Sequence, residues 1–114
     1  MSLHPTGDLV ALFRQVVDVE SVSGGERELA DLVEAALRSS PHLRVIRDGD
    51  TVIARTDLGR PERVVIAGHL DTVPIAANLP SRREGDLVYG RGTADMKGGV
   101  AVSLACAVAL EAPR

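Results

Sequence analysis

Apolar residues recur at helical spacing twice in the first third of the chain. Leu9, Leu12, Phe13, Val16 and Val17 line one face of a helix predicted over residues 8–19, opened by Thr6-Gly7-Asp8. After the interruption Ser21-Val22-Ser23-Gly24-Gly25-Glu26, the residues Leu29, Leu32, Val33, Ala36 and Leu37 mark a second amphipathic helix. A turn followed by a helix cap accounts for Ser23 and Glu26. The pattern then changes to strands: Leu43-Arg44-Val45-Ile46 and Thr51-Val52-Ile53-Ala54-Arg55 flank Asp48-Gly49-Asp50, a hairpin signal. A third strand, residues 63–67, is continuously apolar, which predicts a central strand covered on both faces. Residues 74–85 form a polar connection, and Leu87-Val88-Tyr89 reads as a short strand. Residues 100–110, almost wholly apolar and rich in alanine, predict a helix packed closely on a sheet. The succession predicts one α/β domain with helices on both faces of a sheet.

Composition narrows the picture. A chain of 114 residues with 45% hydrophobic and 25% charged residues is long enough for one core. Aromatics are only 2%, so the core must be built from Val, Leu, Ile and Ala. A net charge of -3 without a Lys/Arg-rich run argues against nucleic acid as a partner. The longest apolar run, residues 100–110, falls short of the ~17 residues that cross a bilayer, so a soluble, cytoplasmic protein with no membrane partner is expected. The single cysteine, Cys106, sits in an apolar helical pattern and reads as a small buried hydrophobe in a reducing compartment. Arg82-Arg83-Glu84 reads as solvated charge, with binding of a substrate carboxylate as the alternative.

Candidate chemistry is confined to two segments. Gly68-His69-Leu70-Asp71-Thr72-Val73-Pro74 follows the apolar run, so His69 and Asp71 stand at the carboxyl end of the predicted central strand, where open α/β sheets carry their ligands. In extended backbone, residues two apart project to one side, so this imidazole and carboxylate can meet one ion or each other. The second segment is Gly90-Arg91-Gly92-Thr93-Ala94-Asp95-Met96-Lys97-Gly98-Gly99, which places Asp95 at a loop-to-helix junction. A dinucleotide fingerprint needs a third glycine where Asp95 stands. A carboxylate there repels a pyrophosphate but suits a divalent cation. Taken singly, His69 is also readable as a hydrogen-bonded structural histidine and Asp95 as a helix cap.

Together, His-x-Asp and Gly-Arg-Gly-Thr-Ala-Asp-Met-Lys-Gly resemble the amino-terminal part of the M20 family of zinc hydrolases. The resemblance implies a three-layer α-β-α fold with a mixed central sheet, of which residues 1–114 form a partial, zinc-peptidase-like catalytic domain. It implies that His69 binds one zinc, that Asp71 is the catalytic aspartate positioning that histidine, and that Asp95 bridges two zincs, with cobalt as a substitute metal. It also implies a cis peptide at Asp95-Met96. The Ser-x-Ser-Gly-x-Glu turn at residues 21–26 also occurs in this family, as the alternative to helix capping at Ser23 and Glu26. The continuation Ile75-Ala76-Ala77-Asn78-Leu79-Pro80-Ser81-Arg82 looks most like the desuccinylase branch of actinobacteria. That branch hydrolyses N-succinyl-LL-diaminopimelate to succinate and LL-diaminopimelate, so a small N-acyl amino acid is the implied substrate.

The same resemblance implies that a Glu-Glu pair holding the general base, a further acidic ligand, a distant histidine and a dimerising lid domain lie outside these residues. Glu111 follows Asp95 too closely and unpaired, His4 falls in a terminus expected to fray, and His42 precedes a strand far from the loop. The expectation is an inactive, metal-poor fragment that self-associates through apolar surface. The alternatives are another M20 deacylase or peptidase, such as an acetylornithine deacetylase-like enzyme, and a noncatalytic interaction module.

Overall fold

The computed structural model describes residues 1–112. Helix α1 spans Leu9–Asp18, and the Asp8 side chain caps it by accepting from the Ala11 amide at 3.0 Å. Its inward residues Leu12, Val16 and Val17 are buried to 0–1% exposure, each worth about 1.5–3 kcal/mol of transfer free energy. Helix α2 (Arg27–Arg38) buries Leu29, Ala30, Val33, Ala36 and Leu37. Strands β1 (Leu43–Asp48) and β2 (Thr51–Thr56) pair antiparallel from Asp48↔Thr51 to Leu43↔Thr56 around a two-residue turn. Gly49 takes φ +58° there, a conformation that favours glycine. One face of this hairpin packs Leu43, Val45, Val52 and Ala54 against the core, while Ile46 and Ile53 stand on its open face.

A second ladder joins β3 (Arg82–Glu84) to β4 (Leu87–Tyr89). The Arg82 guanidinium lies 4.2 Å over the Tyr89 ring, so the segment expected to be merely solvated charge is a hairpin arm with a cation–π contact. Helix α1 anchors the start of this arm. Arg14 donates to the Ser81 hydroxyl at 3.1 Å and to its carbonyl at 3.0 Å, and the Ser81 amide donates to Asp18 at 2.5 Å. A five-residue π-type turn, Thr93–Lys97, leads into α3 (Gly98–Ala109), which buries Val100, Ala101 and Leu104 among α1 and α2. Cys106 in α3 is only partly buried. The His42 ring, 2.8 Å from the Ala107 carbonyl, ties the start of β1 to α3, and His4 is held by Gln15.

The chain is thus mixed α/β, but the predicted central strand is not formed. The two ladders are separate two-stranded sheets, and residues 63–67 pair with no strand among the described residues. Val64, Val65 and Ile66 are 88%, 78% and 67% exposed. Continuous apolarity makes a central strand only when neighbours supply ladder bonds and layers cover both faces. Residues 1–112 supply neither. The expectation that α3 packs on a sheet is corrected for the same reason: its buried face meets helices.

Lys97 was not singled out by the sequence, yet it is the largest side chain buried to below 2%. Its ammonium donates to the Val19 carbonyl at 2.6 Å, tying the π turn to the end of α1. Burial pushes its pKa down to about 8, against the opposing pull of Asp18 and Glu20. Because the unfolded lysine holds its proton up to ~10.4, the unfolded chain binds more protons between pH ~8 and that value, and stability rises with pH across the window. Urea denaturation of wild type against Lys97→Met should show a wild-type gain from pH 8 to 10 of up to about 3 kcal/mol that the variant lacks. Parallel pH profiles would contradict the buried-ammonium assignment.

Candidate metal centre

The site is built on a clip rather than on a sheet. Val22 and Thr72 form a parallel bridge, in which Thr72 donates its amide to Ser21 at 2.9 Å and Ser23 donates its own to Thr72 at 3.0 Å. The fully buried Ser21 hydroxyl adds a bond to the Leu70 carbonyl at 2.7 Å. Short as it is, this pairing fixes the backbone on both sides of Asp71 to the segment between α1 and α2.

The second wall is the π turn. Lys97 donates its amide to the Gly92 carbonyl at 2.9 Å, and the Thr93 hydroxyl donates to Gly90 at 3.0 Å. Inside it Asp95 departs from helical backbone (φ -141°, ψ 98°), and the Asp95-Met96 peptide is cis. Met96 reaches back so that its sulfur lies 3.5 Å from the His69 amide, against Gly68. A β-carbon at Gly68 would stand 2.6 Å from the Met96 methyl, so any larger residue there would displace the end of the Met96 side chain.

Between the walls lies an open cleft of about 270 Å³ lined by Ser23, His69, Asp71, Thr72 and residues 90–95. His69 Nδ1 sits 3.0 Å from the Asp71 carbonyl and 3.2 Å from Asp71 Oδ1, while Nε2 sits 2.9 Å from Asp95 Oδ1. The imidazole is therefore held between two carboxylates. The Asp71 carbonyl, then the Asp95 carboxylate, raise the His69 pKa. The Ser23 hydroxyl, bonded to Asp71 Oδ2 at 2.5 Å, is the largest influence holding the Asp71 carboxyl below its usual range, with His69 adding to it. Sequence reasoning gave Ser23 to a helix cap. Helix α2 instead begins after Glu26, whose carboxylate takes the Gly24 amide at 2.9 Å, and Ser23 turns to the cleft.

An imidazole nitrogen and a carboxylate oxygen 2.9 Å apart suit zinc, whose tetrahedral ligands at ~2.0–2.1 Å lie ~3.3 Å from one another. Their number does not complete a site. Among the described residues no group of three or more His, Cys, Asp or Glu side chains could hold a metal ion. Arg91 also lines the cleft, with its buried Nε lacking a hydrogen-bond partner among the described residues.

Residues 65–114, which contain both walls' motifs, match the model of peptidase family M20/M25/M40. Over 100 residues the chain is 51% identical to the succinyl-diaminopimelate desuccinylase of Corynebacterium glutamicum, covering 86% of this chain and 27% of that protein. A Mycobacterium tuberculosis protein named for the same desuccinylase is 52% identical over 108 residues, 94% of this chain and 30% of its own length. The chain belongs to the M20 family. A more distant relative, a LysW-lysine hydrolase of Deinococcus radiodurans, is 34% identical over 113 residues, 95% of this chain and 30% of that protein. The chain thus spans 27–30% of the length of these M20 hydrolases.

In this M20 chain Gly92 is a second point of close approach between the walls. It takes φ +86°, and a β-carbon would meet the Thr72 methyl at 2.8 Å. Gly92→Ala combines an unfavourable backbone region with overpacking, so a loss of roughly 2–4 kcal/mol is expected in urea denaturation. A loss below ~0.5 kcal/mol, the level of an ordinary surface change, would mean that the walls are not in contact there.

Proposed function

We propose that these residues are the amino-terminal part of the catalytic domain of a di-zinc amidohydrolase that removes the succinyl group from N-succinyl-LL-diaminopimelate in the cytoplasm. The observation that carries this is His69 placed between Asp71 and Asp95, with Nε2 and Asp95 Oδ1 2.9 Å apart in an open cleft. The identity to desuccinylases supports the substrate class, a small N-acyl amino acid. In this reading His69 offers Nε2 to one zinc and Asp71 holds Nδ1, fixing the tautomer and the ring plane. Asp95 offers its carboxylate, 85% exposed, as the bridge to a second zinc. Bound zinc supplies a polarised scissile carbonyl and a water acidic enough to attack at neutral pH. Residues 63–67 become the central strand of a three-layer α-β-α domain once further strands pair with them.

The 114 residues on their own should hydrolyse neither N-succinyl-LL-diaminopimelate nor N-acetylornithine above a no-enzyme control, with zinc or cobalt present, because among the described residues no glutamate lines the cleft to serve as general base. Two donors retain zinc weakly, so dialysed protein should carry well under one zinc per chain by metal analysis. The positive test is a chimera in which these residues replace the matching part of the Corynebacterium glutamicum desuccinylase. Desuccinylation should be restored, and His69→Ala or Asp95→Ala in the chimera should lower it at least ~100-fold. A folded chimera that is inactive, or one indifferent to both substitutions, would overturn the reading.

Val64, Val65 and Ile66, with their unpaired backbone, also make the isolated chain prone to edge-to-edge pairing. Sedimentation at rising concentration should show self-association that Val65→Lys reduces; equal behaviour of the two chains would exclude this segment as the contact.

A further inference from the structure

Ser23 is 48 residues from Asp71 in sequence, yet its hydroxyl donates to Asp71 Oδ2 at 2.5 Å. The Thr72 carbonyl is a second acceptor at 3.4 Å. A hydroxyl has one proton, so the shorter, charged contact takes it. Asp71 Oδ1 is then the oxygen left to face His69 Nδ1, at 3.2 Å. The serine is itself fixed, because its amide and the Thr72 amide belong to the clip and Ser21 beneath it is fully buried. Two roles compete for this hydroxyl. As a structural tie it duplicates the bonds of the clip, which are backbone bonds and survive its removal. As a restraint on Asp71 it has no substitute, since among the described residues the other side-chain contact of that carboxylate is with His69.

Resting on the reading of His69 as a metal ligand, we propose that Ser23 is a positioning residue: it locks the Asp71 carboxylate in one rotamer, and through it orients the His69 ring so that Nε2 faces the Asp95 carboxylate. Ser23–Asp71–His69–Asp95 is then one series of polar contacts from the α1–α2 connection to the π turn: hydrogen bonds at either end, and between them Asp71 Oδ1 3.2 Å from His69 Nδ1, which also lies 3.0 Å from the Asp71 carbonyl. An outer partner of this kind changes metal affinity by about 10–100-fold when removed.

The test compares wild type, Ser23→Ala and Ser23→Thr as 114-residue chains. Without metal, the three-bond couplings from Asp71 Cγ to its backbone nitrogen and carbonyl carbon report the side-chain rotamer. Wild type and Ser23→Thr should show one rotamer and Ser23→Ala averaged values, while amide protection at Ser23 and Thr72 stays unchanged. With cobalt added, the visible absorption band should titrate about tenfold more weakly in Ser23→Ala and within about threefold of wild type in Ser23→Thr. A single Asp71 rotamer in Ser23→Ala, or a folded Ser23→Thr that fails to restore it, would overturn the proposal. Unchanged cobalt affinity in a Ser23→Ala chain that has lost the rotamer would overturn the link to His69. Should Ser23→Ala not fold, Ser23→Cys, which keeps the size but weakens the donor, is read in its place. If no chain, wild type included, binds cobalt, as weak retention by two donors allows, the rotamer comparison alone decides the role of Ser23.

Discussion

Everything in the cleft depends on the pairing of residues 21–23 with residues 70–72. In this chain the segment carrying His69 and Asp71 emerges from exposed backbone, because residues 63–67 have no strand beside them among the described residues. A side chain mounted on such a segment should swing freely. It does not, because two amide bonds and the Ser21 hydroxyl fasten Leu70 and Thr72 to the connection between α1 and α2. That connection is in turn held by two helices whose inward faces form the core. The rigidity of the site therefore comes from the helical layer, not from a sheet.

The opposite wall follows the same logic by a different route. Asp95 is largely exposed, but its turn is pinned at both ends, by the buried Lys97 ammonium on the Val19 carbonyl and by Gly92 against Thr72. Val19 ends α1, and the clip begins two residues later at Ser21. Both walls therefore hang from the same few residues after α1, which is how His69 and Asp95, 26 residues apart, come within 2.9 Å without a common sheet.

How much of this the sequence shows depends on how local the cause is. Both helices at the start and the first hairpin follow from periodicity, a capping Asp8 and Gly49, all of which act within a few residues. The two motifs of the cleft were legible as chemistry because their residue types have few other uses together. The strand at 63–67 was misread because continuous apolarity reports what a segment needs, not what the chain supplies. Ser23 was misread because a serine before a helix caps it more often than it reaches 48 residues away. Lys97 left no signal at all: a lysine in a glycine-rich loop looks solvated, and only the packing of α1 over the π turn shows that it is buried. Leu87–Tyr89 was legible as a strand, but its partner was missed for a related reason, since the pairing of Arg82–Glu84 with it rests on Arg14 and Asp18 holding Ser81.

The geometry around His69 also explains how two carboxylates come to share one cleft. Asp71 and Asp95 repel each other across the ring. Here an imidazole that holds its proton more strongly than usual bridges the two, donating toward Asp71 from Nδ1 and toward Asp95 from Nε2. In the proposed reading, a metal at Nε2 would compete with this proton for the same lone pair. The ring thus joins the wall fixed by the clip to the wall fixed by the π turn.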